Sequence, residues 1–242
     1  MNLKFVISKS LLAASVLFST RGKTLSEWTE VKNKLWDKYN DAYSLFNRTG
    51  INKFFTESYK DKLKIAVEEI DDLLLETIES DPGLDLIKET EEYKKWLERE
   101  WDEQKETISK ELRDILRIDL PEKEYTVYIV APKVGGGSYL GTNEIFWGHT
   151  EDWPNYNVIY LAHEFLHSIL KNDQIGHALI ELIADNELRI RLNNEKDYYQ
   201  MGDKLIGHDY LLRSKEEILT QWKDYLRNKD VNIHNFYKKL KL

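Results

Sequence analysis

From Ser26 to Phe46 the apolar side chains Trp28, Val31, Leu35, Trp36, Tyr39, Tyr43 and Leu45 recur at mixed three- and four-residue steps, which predicts an amphipathic helix capped by Ser26. Phe54–Ile78 and Leu84–Leu116 repeat the pattern, separated by the turn-forming Asp81-Pro82-Gly83. The acidic and basic residues that alternate through these stretches read as solvated helix faces. At Pro121 the texture changes. Tyr125–Ala131 is rich in β-branched and aromatic residues, and Ser138–Trp147 reads as a second strand, with Gly135-Gly136-Gly137 as the turn between them. Beyond Pro154, the length of the apolar segment Asn155–Leu170 suits a helix better than a strand, and a second helix is expected from about Gln174 to Leu192, with Asp173 as its cap. At the amino terminus, Leu3–Ile7 predicts a short strand and Lys9–Phe18 a helix. Helices, then strands, then helices point to an α+β fold. Residues 1–120 form its mainly helical first region and residues 121–242 the region that carries the chemistry, the two expected to pack as one unit.

Composition narrows the function. A net charge of −8 and interspersed Lys and Glu leave no basic face for phosphates, so nucleic acid is not an expected partner. The chain has no cysteine, which removes disulfides and thiolate metal sites and leaves His, Asp and Glu as the strong ligands. No stretch reaches the roughly 20 uninterrupted apolar residues of a membrane span, so no stable membrane insertion is expected. Residues 1–20 make a poor signal peptide, because Lys9 splits the apolar run and Leu17 and Phe18 stand where a cleavage site needs small side chains. A cytoplasmic location is therefore expected, with secretion as the alternative.

The segment NVIYLAHEFLHSILKN, Asn157–Asn172, places two imidazoles and a carboxylate in the most apolar part of the chain. Polar groups buried without partners cost roughly 2 to 7 kcal/mol, and a bound metal would remove that cost. On a helix, the four-residue step from His163 to His167 stacks the two rings on one face, within reach of one ion. Glu164, one residue round from His163, can lean toward a water polarised by the ion and act as general base. Two histidines leave a catalytic Zn²⁺ short of its usual three protein ligands. In HALIELIADNEL the same burial argument singles out Glu181 and Asp185, four residues apart on one face. With Glu181 on the metal, Asp185 can accept the free ring N–H of a ligating histidine. Glu187 is the rival ligand, about 240° round the helix from Glu181.

His163-Glu164-x-x-His167, followed by Glu181 and then Asp185, resembles the pattern of the gluzincin zinc metallopeptidases, and the short spacing from His167 to Glu181 is similar to that of their compact members. The resemblance spans Tyr125 to about Tyr210. It implies a zincin-like core, a small sheet with an active-site helix and a glutamate helix. It also implies Zn²⁺ held by His163, His167 and Glu181, with Glu164 as base and Asp185 behind an imidazole. The reaction it implies is hydrolysis of a peptide or protein substrate. His208 or Tyr210 would then stabilise the oxyanion, and Thr142–Gly148, TNEIFWG, looks like the strand that borders the cleft in such enzymes. Two alternatives stand beside this. Asp173 lies where metzincins place a third ligand, although Leu170 replaces the glycine their turn needs. An inactive zincin-like or helical interaction scaffold would let the buried His and Glu satisfy each other, but would not require a base at Glu164. His149 reads as solvated, and His177 and His234 as structural.

Overall fold

The structure, a computed structural model, describes residues 1–17, 28–34, 36–38, 40, 74–133 and 136–241. Most of the expected helices Ser26–Phe46 and Phe54–Ile78 lies outside the described residues, as does Gly135; residues 29–34, 36–38, 40 and 74–78 are helical. Contacts divide the chain into two compact units, one of Leu3–Glu98 and Glu124–Thr150, the other of Met1–Asn2, Arg99–Lys123 and Glu151–Leu242. This division does not follow a boundary at residue 120.

The first unit is built on a four-stranded sheet in the order β1 (Asn2–Val6), β2 (Glu124–Ile129), β4 (Glu144–Gly148), β3 (Gly136–Gly141). β2 and β4 run parallel, with Val127 opposite Ile145 and Ile129 opposite Trp147, whereas β3 and β4 are antiparallel. The expected single strand Ser138–Trp147 is thus a hairpin. Thr142 and Asn143, at φ 47° and 64°, occupy the left-handed region in succession. That pairing of conformations matches the twist of the flanking strands in a two-residue hairpin turn. One consequence corrects the reading of TNEIFWG as a bordering strand. β4 is flanked on both sides, and among the described residues β1 and β3 are the edges.

Helix α1 (Lys9–Leu17) is apolar on every face, and accordingly Leu11, Leu12, Ala13, Ala14, Val16 and Leu17 are all buried, in one cluster with Val130, Leu140 and Phe146. Helix α2 (Asp81–Leu116) starts at Asp81 rather than Leu84. Ser80 accepts from the Gly83 amide through its hydroxyl at 3.4 Å and from the Leu84 amide through its carbonyl at 2.8 Å, so it caps the helix and leaves Pro82 in the first turn, where its missing N–H costs nothing. A β-carbon on Gly83 would stand 2.4 Å from the carbonyl oxygens of Thr77 and Ile78, which is why glycine sits at this break.

The second unit is helical. It contains α3 (Tyr156–Leu166), α4 (Gln174–Glu181), a π-helical segment Leu182–Leu188, α5 (Arg189–Asn193), a short hairpin β5 (Gln200–Met201) and β6 (Lys204–Leu205), α6 (Leu212–Arg227) and α7 (Ile233–Leu240). α4 packs on α6 and α7, and α3 on the π segment. Arg117 fixes the end of α6 by donating to the carbonyls of Tyr225 and Leu226 at 2.8 and 3.2 Å, and it stacks over the Tyr225 ring, whose hydroxyl donates to Ile115 at 2.7 Å. Among the described residues, no helix is long and apolar enough to cross a membrane.

Candidate metal centre

α3 presents its histidines from a well-anchored position. The Glu151 carboxylate accepts from the amides of Tyr156 and Asn157 at 3.0 and 3.3 Å, a negative charge at the helix N-terminus where the dipole favours it. Val158, Ile159, Leu161, Ala162, Phe165 and Leu166 are buried, and with them His163 and Glu164. The helix stops at His167. The chain then turns to Asp173, whose side chain accepts from the Gly176 amide at 2.9 Å and so caps α4. Its other oxygen takes Tyr237 and Lys241, each at 2.5 Å. That carboxylate is therefore committed to holding α4 and α7, not to a metzincin-like metal site.

The return of α4 brings a third imidazole to the pair on α3. The His177 ring centroid lies 5.4 Å from that of His163 and 4.9 Å from that of His167. One potential ligand atom from each of the three lies within 4.8 Å of the others. Glu181 belongs to a second such group, with His177 and His208. His177 is thus common to both, although nothing in the apolar pattern marks it beyond its four-residue step to Glu181.

Charge within the cluster is resolved in two separate pairs. His163 Nδ1 is 2.8 Å from Asp185 Oδ1, both groups buried. Burial by itself pulls the His163 pKa down, but the Asp185 carboxylate outweighs it and raises the group to about 9. Burial raises Asp185 in turn, against the pull of His163. Glu181 is engaged elsewhere. Its Oε1 accepts from the His208 amide at 2.8 Å and faces His208 Nδ1 at 2.5 Å, while Oε2 is 2.6 Å from the ammonium of Lys215. Glu181 and Lys215 both have fully buried side chains. Burial opposes the Glu181 charge, yet His208 and Lys215 hold its pKa below the usual carboxylate range. Gly207 closes over the pair at φ +81°, where a β-carbon would meet Glu181 Oε2 at 2.3 Å.

The different partners of Glu181 and Asp185 follow from the backbone between and beyond them. On a regular helix a four-residue step stacks side chains, but the segment from Leu182 is π-helical, a wider turn that shifts the phase and is frequent at functional sites. Asn186 supports it, donating to the Glu181 carbonyl at 2.8 Å and accepting from the Tyr199 amide at 2.7 Å. Glu187 turns away from the imidazoles to Arg191 and the Tyr198 hydroxyl, at 2.9 and 2.5 Å.

His167 and His177 are held as neutral imidazoles. Burial first, and the charges of neighbouring imidazoles second, depress their pKa values to about 3 and about 4. A metal binds only the deprotonated ring. His177 Nε2 is buried without a hydrogen-bond partner among the described residues, and Nδ1 lies 3.4 Å from the Tyr210 hydroxyl. Tyr210 is 66% exposed and its ring lies 5.2 Å from that of His208, so both expected oxyanion donors stand at this cluster. A cavity of about 380 Å³, lined in part by Gln174, His177 and Tyr210, opens beside them. His149 belongs to the sheet unit, its Nδ1 2.9 Å from the Thr150 carbonyl.

Lys215 escaped the sequence reading, although a signal was present. It falls on the buried stripe Leu211, Ile218, Trp222 and Tyr225 at three- and four-residue steps. Comparison with protein-family models, with curated proteins and with solved structures finds no match to this chain.

Proposed function

We propose that this chain is a zinc-dependent metallopeptidase with a zincin-like core. The observation that carries the reading is the convergence of His163, His167 and His177, two of them held neutral and the first backed by Asp185. The unpartnered Nε2 of His177 fits a metal ligand, since a buried donor or acceptor left unsatisfied costs about 1–3 kcal/mol. His163 and His167 would hold the ion together with a third donor from α4, which carries both His177 and Glu181. Bound there, zinc supplies the Lewis acidity that polarises a peptide carbonyl and acidifies water.

The remaining steps belong to the side chains. Glu164, buried next to His163, takes the proton of the attacking water and delivers it to the leaving amine. Asp185 holds His163 by Nδ1, which fixes the ring orientation and leaves Nε2 for the ion. His208 has its amide and Nδ1 both on Glu181; protonated at both ring nitrogens it would turn Nε2–H to the oxyanion, and the cavity at His177 and Tyr210 offers space to a peptide. Substituting Glu164→Gln should abolish hydrolysis of a peptide library while zinc content stays at one per chain. Equal rates in the two proteins would defeat the assignment.

A second reading has its own support. In a metal-free interaction scaffold the buried charges satisfy one another, as Glu181 and Lys215 do. Elemental analysis separates the two, because a scaffold carries no stoichiometric metal.

A further inference from the structure

We propose that the third metal ligand is His177, and not the Glu181 that the gluzincin pattern nominates. The inference rests on the zinc reading above and makes it more specific. Three facts carry it. His177 shares a ligand group with both His163 and His167, whereas Glu181 is grouped with His177 and His208. His177 Nε2 is buried and lacks any partner of its own among the described residues, whereas Glu181 Oε1 is hydrogen-bonded by His208 and Oε2, though it makes no hydrogen bond of good geometry, is ion-paired with Lys215 at 2.6 Å. The third is confinement: the Gly207 backbone closes on Oε2, and Lys215 is fully buried beside it.

Lys215 decides between the donors. Its other contacts are the Ile206 carbonyl at 3.2 Å and the Tyr199 ring face at 5.3 Å, neither of which neutralises an ammonium. Were Glu181 to bind a divalent cation, it would have to serve two positive centres at once or leave a buried ammonium unpaired, and like charges at short range in a poorly polarisable interior repel strongly. His177 makes no such demand, because an imidazole carries no charge to the ion and its ligand atom lies within 4.8 Å of those of His163 and His167. Asp185 behind His163 and Glu164 beside it then supply the negative charge that offsets the ion. The set becomes three imidazoles, a ligand class known for catalytic zinc.

The test uses the full chain loaded with zinc. Zinc K-edge X-ray absorption of the unmodified protein should count three imidazoles; two imidazoles and a carboxylate would overturn the assignment. Variants give an independent measure. Changes to residues behind a ligand weaken metal affinity about 10–100-fold, so loss of a ligand in His177→Ala should exceed about 100-fold. The double variant Glu181→Gln with Lys215→Met, which buries no lone charge, should keep zinc affinity within about tenfold of the unmodified chain. The reverse ranking overturns the proposal in favour of Glu181. A failure of the unmodified protein to take up zinc would instead sink the metallopeptidase reading, and this assignment with it.

Discussion

Removing Lys215 should expose how much the buried pair with Glu181 is worth, and a double-mutant cycle gives the number. The charges stand 2.6 Å apart with neither side chain exposed. At an effective dielectric constant near 20, Coulomb attraction at that distance is about 6 kcal/mol, and desolvating the two ions costs several kcal/mol each, so the intact pair contributes little net stability. Breaking it is different. Lys215→Met leaves Glu181 buried with His208 as its remaining partner, and the variant can relax by protonating the carboxylate. For an ordinary glutamate at pH 7 that limit is about 3.7 kcal/mol. Glu181→Gln strands an ammonium, whose deprotonation at pH 7 limits the cost to about 4.6 kcal/mol. The doubly substituted chain strands no charge and loses mainly the charge-assisted bonds to His208, about 1.5–3 kcal/mol. Both singles carry a stranded-charge penalty that the double lacks, so their sum should exceed the double, with a coupling of up to about 3 kcal/mol. Urea unfolding followed by far-UV circular dichroism, in chelator so that metal linkage is absent, measures all four corners. Additivity within about 0.5 kcal/mol would refute the reasoning, because independent sites behave that way.

Gly207→Ala should destabilise by more than the 1–2 kcal/mol typical of a left-handed alanine, since its β-carbon also meets Glu181 Oε2 at 2.3 Å and Lys215 Nζ at 3.1 Å. Gly202→Ala is the control, with φ +59° and nothing within 4 Å of the added carbon; equal losses in urea unfolding would contradict the close approach at Gly207. Asp173 should contribute stability that acid removes. Burial works against its charge, but Lys241, Tyr237 and the Gly176 amide outweigh it and depress the pKa from 3.8 to about 2. A depressed folded value means that the contribution is complete above about pH 4 and fades toward pH 2. Asp173→Asn keeps a capping side chain and drops the charge, so thermal melts should place it below the unmodified chain by about 1 kcal/mol or less at pH 6 and by still less at pH 3. A gap that widens in acid would contradict the sign.

How much of this was legible from residues follows from the range of each signal. Helix α3, the Asp173 cap and the imidazole pair were readable because each depends on neighbours within one helical turn. The amino-terminal strand and helix were readable too, as an alternation followed by an apolar run, and they formed as β1 and α1. The hairpin at Thr142-Asn143 was not. Asn143 tolerates the left-handed region, but Thr142 is β-branched and disfavours it, so local propensity pointed to a continuous strand. The π segment was invisible for a related reason. Nothing in LIADNEL forbids a regular helix; the wider turn is held by Asn186, whose carbonyl oxygen accepts from Tyr199, thirteen residues on. His177 and Lys215 needed tertiary information, because which buried polar group pairs with which is settled by the packing of α4 on α6.

The buried polar groups of α3 and α4 therefore answer to two different demands, and sequence alone merged them. Glu181 belongs to a pair whose charge is balanced without any ion, since Lys215 neutralises it at Oε2 and His208 hydrogen-bonds Oε1. A carboxylate in that position explains its own burial and adds nothing to the case for a metal. The case rests instead on the imidazoles. A ring needs no counter-ion to be buried, but its nitrogens need partners, and a fold that merely tolerated three histidines would spread them so that each found its own. Here they converge, with the Nε2 of His177 left over and Asp185 orienting His163 from behind. Protonating two converging imidazoles at once costs mutual repulsion, which adds to burial, the larger cause, in holding His167 and His177 neutral. His163 has its acceptor in Asp185, whereas the Nε2 of His177 has none among the described residues, and that orphaned nitrogen is what the proposed ion would satisfy.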